Sequence, residues 1–204
     1  DIESRDEILE LINQSGESMQ LLISKFLNIA KLESGSGFFD TEKVDMQAMI
    51  NESIDAYRPL LHKKELTINK QFDKNLPKIE LNTEMMEEAI RNLLSNAIKY
   101  GDPGRNIDIQ LQEKGEQLKF AITDYGYGIP AEEQEKIFRK FYRIKAEYQK
   151  KDKRGSGLGL SFVKEVVKQH KGNIYLESNP EIGTRFTISI PQKQKPEKQP
   201  ESVV

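Results

Sequence analysis

The 204-residue sequence has no cysteine and only two histidines, His62 and His170. Lacking thiols, it forms no disulfides and no thiolate metal sites, which suits a reducing compartment. It has no apolar run near the roughly 18 residues that cross a bilayer, and no secretory signal pattern. Nor is there an excess of one charge: 31 basic residues stand against 33 acidic ones, a net charge of -2, so no overall positive field draws the chain to nucleic acid or to an anionic membrane. No internal repeat is visible. What is present, 36% hydrophobic and 31% charged residues, describes a globular protein with well-solvated faces, long enough for one substantial domain and an appendage. The sequence starts at Asp1 rather than Met, so we expect a piece of a longer protein, with any membrane or sensory portion upstream.

Ile8, Ile12, Met19, Leu22, Phe26 and Ile29 recur at alternating four- and three-residue steps, with Ser15 in the one polar gap. The spacing predicts a helix with an a/d seam of about three heptads. Leu9, Leu21, Ile23 and Leu27 widen the stripe, so a bundle fits better than a two-stranded coil; a helix packed on its own domain is the alternative. Ser34-Gly35-Ser36-Gly37 ends the helix and reads as a hinge, dividing residues 1–35 from a domain at 36–191. Beyond it, Lys, Gln, Pro and Glu dominate residues 192–204, expected to be a disordered tail.

Within the domain, residues 38–44 read as an edge strand, and Asp45 as the cap of a helix reaching about His62. Residues 66–71 and 78–81 are short strands. Asn82 then caps a helix that carries Glu84, Glu87 and Glu88 early and ends at Tyr100, before Gly101-Asp102-Pro103-Gly104. Residues 107–111 and 118–123 form a hairpin around Lys114-Gly115, and Pro130 opens a short helix toward Phe138. The polar, lysine-rich stretch 142–154 reads as a mobile loop. A glycine-rich stretch then leads into a helix at 162–170 with Gly172 at its end, and residues 174–177 and 185–190 close the domain as a hairpin.

Four stretches carry candidate chemistry. Gly155, Gly157 and Gly159 alternate directly before a helix, where positive φ and the absence of Cβ let backbone N–H groups approach an anion. The stretch is neither a P-loop, lacking Gly-Lys-Ser/Thr, nor a dinucleotide βαβ fingerprint, and a flexible turn has the same composition. Asn92 and Asn96 stand one helical turn apart with Lys99 three residues on, a set of neutral oxygens and a cation suited to magnesium-bound polyphosphate, or simply a polar helix face. Asp124 before Gly126 and Gly128 sits at a strand end, where a carboxylate can accept from an exocyclic amine while the glycines let a flat base lie on the backbone; a capped turn reads the same way. In Ile137-Phe138-Arg139-Lys140-Phe141-Tyr142-Arg143 the aromatics serve equally as core or as ligand contacts, and Arg143 as phosphate contact or solvated charge.

In this order, the four stretches resemble the nucleotide-binding boxes of the catalytic and ATP-binding domain of sensor histidine kinases. Asn92-Leu-Leu-Ser-Asn96-Ala-Ile-Lys99-Tyr100 is similar to the asparagine box, and Asp124-Tyr-Gly126-Tyr-Gly128 to the first glycine box. Phe138-Arg-Lys-Phe141-Tyr142-Arg143 resembles the phenylalanine box, Gly155-Ser-Gly157-Leu-Gly159-Leu160 the second glycine box, and Gly183-Thr184-Arg185-Phe186 the final glycine-threonine element. Residues 1–35 resemble the second helix of the family's dimerisation and histidine-phosphotransfer hairpin.

The resemblance implies an α/β fold: a two-layer α/β sandwich of the Bergerat type, mixed sheet against helices, with an N-terminal bundle helix. It implies ATP and Mg²⁺, with Asp124 reading the adenine amine and Asn96 holding the metal beside Asn92. Lys99, Tyr100 and Arg143 are then expected at phosphates or ribose, and Gly126, Gly128, Ile129, Tyr142 and Thr184 are also expected to bind the nucleotide. Gly155, Gly157, Leu158, Gly159 and Leu160 would close over the triphosphate, with Asn92, Asn96, Lys99 and Arg143 serving catalysis. Related ATPases carry a water-activating glutamate where this helix has Asn92, and an amide takes no proton from water; Glu88, one turn earlier on the same face, is the alternative candidate for a base, with a surface role expected for it. The implied activity is an ATP-dependent protein-histidine kinase, cytoplasmic, homodimeric once its hairpin is complete, and partnered by a response-regulator receiver domain. No phosphoacceptor histidine is expected in this chain, since His62 and His170 both match structural positions; the alternative is an ATP-binding regulatory or dimerisation module without phosphotransfer.

Overall fold

The computed structural model describes residues 2–34, 40–144, 155–180 and 182–192. The expected hinge glycines, most of the lysine-rich loop and nearly all of the tail lie outside these residues. A 33-residue helix, α1 (Ile2–Ser34), leads into the domain. Strands β1 (Glu42–Val44) and β3 (Ile79–Leu81) pair antiparallel as a small separate sheet; of the edge strand expected at 38–44, residues 42–44 are strand, 40 and 41 are not, and 38 and 39 lie outside the described residues. The main sheet comprises β2 (Thr67–Phe72), β4 (Asn106–Lys114), β5 (Gln117–Asp124), β6 (Asn173–Asn179) and β7 (Gly183–Pro191), in the order β2-β4-β5-β7-β6. β2 runs parallel to β4 and the other neighbours are antiparallel, making the sheet mixed.

Period-two alternation sends Ile107, Ile109 and Leu111 of β4, Leu118, Phe120 and Ile122 of β5, and Phe186, Ile188 and Ile190 of β7 to one buried face. Against it lie α2 (Met46–Ala56), α4 (Thr83–Tyr100) and α6 (Gly159–Gln169), whose apolar stripes join the same core, while α5 (Ala131–Gln134) is a short helix after Pro130. Each such side chain, fully buried, contributes about 1.5–3 kcal/mol. In α4 the stripe is Met86, Ala89, Ile90, Leu93, Leu94, Ala97 and Ile98, helix-periodic and buried. Asn82 caps this helix, its side-chain oxygen accepting from Met85 N at 3.0 Å.

His170, wholly buried, ties the start of α4 to the end of α6. Its Nδ1 lies 2.7 Å from the Val166 carbonyl and therefore carries the proton, while Nε2 accepts from Asn82 N at 2.9 Å. Burial holds its pKa below the usual histidine value, against the opposing effect of the Val166 bond.

The single helix expected from Asp45 to about His62 is in fact two. α2 ends at Ala56, Tyr57 leaves helical geometry, and α3 (Arg58–Lys63) begins with a proline in its first turn. Pro59 has no N–H for the preceding ladder and its ring crowds the carbonyl four residues back, so the helix restarts instead of continuing.

Among the described residues, α1 meets the domain through its last turns. Ile29 and Leu32 are buried, Gln169 Nε2 donates to Leu32 O at 2.8 Å, Lys140 pairs with Glu33 at 2.6 Å, and the Phe26 ring stacks on Phe141. Ile8, Leu9, Ile12, Met19, Leu22, Ile23 and Leu27 are exposed. No helix among the described residues is long and apolar enough to cross a membrane.

Candidate functional site

A cavity of about 280 Å³ opens where five separated stretches of sequence converge. From α4 come Asn92, Asn96, Lys99 and Tyr100, spaced by helical turns along one face. The end of β5 and the loop behind it supply Asp124, Gly128 and Ile129, and Thr184 enters from β7. Tyr142 and Arg143 form another wall; Gly155, Gly157, Gly159 and Leu160, at the start of α6, form the last.

Two expected contacts are elsewhere. Leu158 is fully buried in the core and anchors the glycine loop from behind, as the apolar residue of an otherwise polar stretch should. Gly126 does not line the cavity, and a side chain there would collide with the Tyr100 carbonyl oxygen, so its role is to seat the loop on the end of α4. The glycine loop also uses its glycines differently from one another. Gly157 alone is left-handed, at φ 71, and a Cβ there would lie 2.6 Å from the Phe141 carbonyl carbon. Gly159 is the first residue of α6, and a Cβ on it would lie 2.8 Å from Asn92 Oδ1.

The lining also includes Ser95, Tyr127, Ile137, Ile144, Ser156 and Phe186, none singled out from the sequence. Some carried a signal: Ser95 lies between the two asparagines, and Phe186 follows Thr184 on the same face of β7. Ile137 and Ile144 carried none, because an apolar residue reads as core.

Asn92 Nδ2 donates to Glu88 O at 2.8 Å and approaches Glu88 Oε1 at 3.3 Å, which turns Oδ1 toward Gly159. Glu88 pairs with Arg91 at 3.4 Å and does not line the cavity. Asp124 is a buried carboxylate whose Oδ1 accepts from Gly126 N at 3.0 Å. Beside it, burial and the neighbouring Tyr100 and Asp124 push the Tyr127 phenol up to about 12. Burial also raises Tyr100, against the charge of Arg143, so both rings stay neutral at pH 7. Lys99 Nζ stands 4.8 Å from the Tyr100 ring centroid, a cation–π contact. Lys64, lowered by burial and then by the charge of Lys99, donates to Ile98 O at 2.9 Å. Tyr142 is held through its hydroxyl by buried Glu133, which also accepts from Lys136 Nζ at 3.1 Å.

Among the described residues, no cluster of three or more His, Cys, Asp or Glu is placed to hold a metal. Asn92, with its amide oxygen oriented, and Asn96 on the same wall make a weak, neutral donor set, and the Lys99 cation stands beside them. The set fits a magnesium ion that arrives with phosphate oxygens and keeps its waters, not an ion caged by protein carboxylates.

Comparison with known proteins agrees with this arrangement. Residues 82–194 match the family described as histidine kinase-, DNA gyrase B-, and HSP90-like ATPase. The sensor-like histidine kinase SenX3 of Mycolicibacterium smegmatis is 30% identical over 176 residues, 86% of this chain and 45% of its own length. The chain spans less than half the length of such curated sensor proteins as it matches. The structure of the Acinetobacter baumannii histidine kinase AdeS superposes with a TM-score of 0.74 at 22% identity, covering 91% of this chain and 83% of that one, and so shares the fold. The mycobacterial sensor histidine kinase MprB, at 28% identity and a TM-score of 0.64, covers 76% of this chain and 99% of its own. With its mixed sheet, helical layer and converging boxes, the chain belongs to the histidine kinase-, DNA gyrase B-, and HSP90-like ATPase family, as the catalytic and ATP-binding domain of a sensor histidine kinase.

Proposed function

We propose that the chain is the kinase core of a two-component sensor, which binds Mg-ATP in this cavity and transfers the γ-phosphoryl group to a histidine supplied by another segment or chain. The observation that carries the proposal is Asn92: its Nδ2 is tied to the Glu88 carbonyl, and an amide oxygen faces the cavity where a hydrolase needs a base. An amide cannot deprotonate water, so the phosphoryl group is kept for a protein nucleophile. Asp124 accepts from the adenine amine, and Asn96 with Asn92 offers amide oxygens to the metal. Bound magnesium supplies charge neutralisation at the phosphates. Lys99 and Arg143 add positive charge, Tyr142 is held in place by Glu133, and Gly128, Ile129, Tyr100 and Thr184 shape the base and ribose end. The γ-phosphorus bond to the bridging oxygen breaks and a phosphorus–nitrogen bond forms to a neutral imidazole, releasing ADP.

Neither histidine of this chain suits the acceptor role: His170 has both ring nitrogens engaged, and His62 is on α3 and does not line the cavity. The exposed apolar seam of α1 supports its assignment as the second helix of a dimerising hairpin. On this reading the phosphorylated histidine feeds a response-regulator aspartate, and the chain works in the cytoplasm, where ATP is available.

ATP titration with and without Mg²⁺, on the parent, Asn96→Ala and Asp124→Ala, tests the proposal, with phosphate release followed in the same samples. Magnesium-dependent binding weakened by both changes, negligible hydrolysis, and label transfer to an added histidine-bearing hairpin are expected. Fast hydrolysis, or no binding by the parent, overturns it.

A further inference from the structure

On the helix-facing side of the sheet, residues of β5, β7 and β6 stand in cross-strand rows. Phe120, Ile188 and Ile174 make one row, and Ile122, Phe186 and Leu176 the next. The following row, at the rim, is Asp124, Thr184 and Ser178. Here the apolar alternation gives way to three polar side chains, of which Asp124 and Thr184 line the cavity and Ser178 stands behind them.

Ser178 Oγ has three polar neighbours: Ile129 N at 2.8 Å, Gly183 O at 2.9 Å and Thr184 Oγ1 at 3.0 Å. A hydroxyl has one proton and two lone pairs. Ile129 N can only donate and Gly183 O can only accept, so the serine proton goes to Gly183 O and one lone pair to Ile129 N. The remaining lone pair is left for Thr184, whose hydroxyl must donate to it. With the opposite direction, Ser178 Oγ and Gly183 O would face each other at 2.9 Å with no proton between them. Gly183 fixes the frame, since its φ of 110 is a glycine conformation and a side chain there would collide with the Asp124 carbonyl oxygen. The Thr184 proton is thereby turned away, and Thr184 Oγ1, like the Asp124 carboxylate beside it, meets the cavity with lone pairs.

We propose that Ser178 is a positioning residue for base selection: by taking the Thr184 proton it fixes that hydroxyl as an acceptor, so the base end of the cavity favours a purine with an exocyclic amine over one with a carbonyl at the same position. The inference rests on the nucleotide reading of the cavity and extends it to a residue outside the cavity wall. A base with a carbonyl there brings an acceptor against acceptors, and the Thr184 hydroxyl, its proton committed to Ser178, does not turn to meet it.

The test compares ADP with inosine diphosphate, which replaces the amine by a carbonyl, in calorimetric titrations of the whole chain. The parent is expected to prefer ADP by more than about tenfold, and Ser178→Ala, which frees the Thr184 proton to meet the carbonyl, to shrink that ratio about five- to tenfold. Ser178→Thr restores the preference. Ser178→Cys, nearly isosteric but a poor hydrogen-bonding group, shows the same loss if the alanine variant folds poorly. On a Thr184→Val background, Ser178→Ala leaves the ratio unchanged. If Ser178→Ala weakens both ligands by one common factor, the serine is structural only and the proposal fails. A parent that binds both ligands equally also overturns it while leaving nucleotide binding intact; a parent that binds neither overturns the nucleotide reading itself.

Discussion

A methyl group added at Gly159 would land 2.8 Å from Asn92 Oδ1 and 3.4 Å from its Cγ. That is about 0.5–0.7 Å inside ordinary contact, so the amide must turn or α6 must shift. Turning the amide strains the 2.8 Å bond from Nδ2 to Glu88 O, at a cost of about 0.5–1.5 kcal/mol. Alanine returns up to about 1 kcal/mol over glycine within a helix, less at the first position, which Gly159 occupies. The two effects nearly cancel in folding stability, and Gly159→Ala should move the urea midpoint by less than about 1 kcal/mol equivalent. Nucleotide binding has no such compensation. With the Asn92 oxygen displaced, Mg-ATP affinity should fall by about 1–2 kcal/mol, roughly 5- to 30-fold. Calorimetric titration of the parent, Gly159→Ala, Asn92→Ala and the double variant separates the terms. In the Asn92→Ala background no Oδ1 remains to be displaced, so the added methyl should cost almost nothing further. If Gly159→Ala binds Mg-ATP as tightly as the parent, or if the two losses simply add, the coupling of glycine loop to asparagine helix described above is wrong.

Two further outcomes are expected. His170 has a folded pKa below its unfolded value near 6.5, so its contribution is full above that pH and is lost as pH falls from there toward the folded value; the stability difference between the parent and His170→Gln, from urea unfolding, should narrow as pH is lowered from 7.5 to 5.5. Leu32→Asp puts a charge into the buried contact between α1 and α6 and should free the helix from the domain, seen as faster hydrogen exchange over 26–34 with little change in the domain's own midpoint.

The boxes were legible because each combines residues that a plain structural element does not need: paired asparagines on a helix face, an aspartate between a strand and two glycines, glycines alternating into a helix. The apolar periods of α4 and of β4, β5 and β7 were legible for the usual reason, that burial selects one face. What failed to show in the sequence was which backbone lies opposite. Gly126 reads as room for a base, yet the Tyr100 carbonyl occupies that room. Leu158 reads as a wall residue, yet it points into the core. Pro59 was in plain view between two helices, and periodicity carried across it concealed the restart after Tyr57. Ser178 continues the alternation of Ile174 and Leu176, and only the register with β7 reveals that its partner is Thr184.

The docked end of α1 has a mechanical consequence. A helix of 33 residues is about 50 Å long, and among the described residues its contacts with the domain fall in the last two turns. It behaves as a lever with a very short inner arm. A tilt of roughly 5° about Leu32 carries the far end about 4 Å but moves Phe26, about 9 Å from that fulcrum, by less than about 1 Å. Phe26 rests on Phe141, and the Phe141 backbone is what leaves no room beside Gly157. Large excursions at the remote end are therefore geared down to sub-ångström displacements at the wall of the cavity, the scale on which a close-packed contact distinguishes fit from clash.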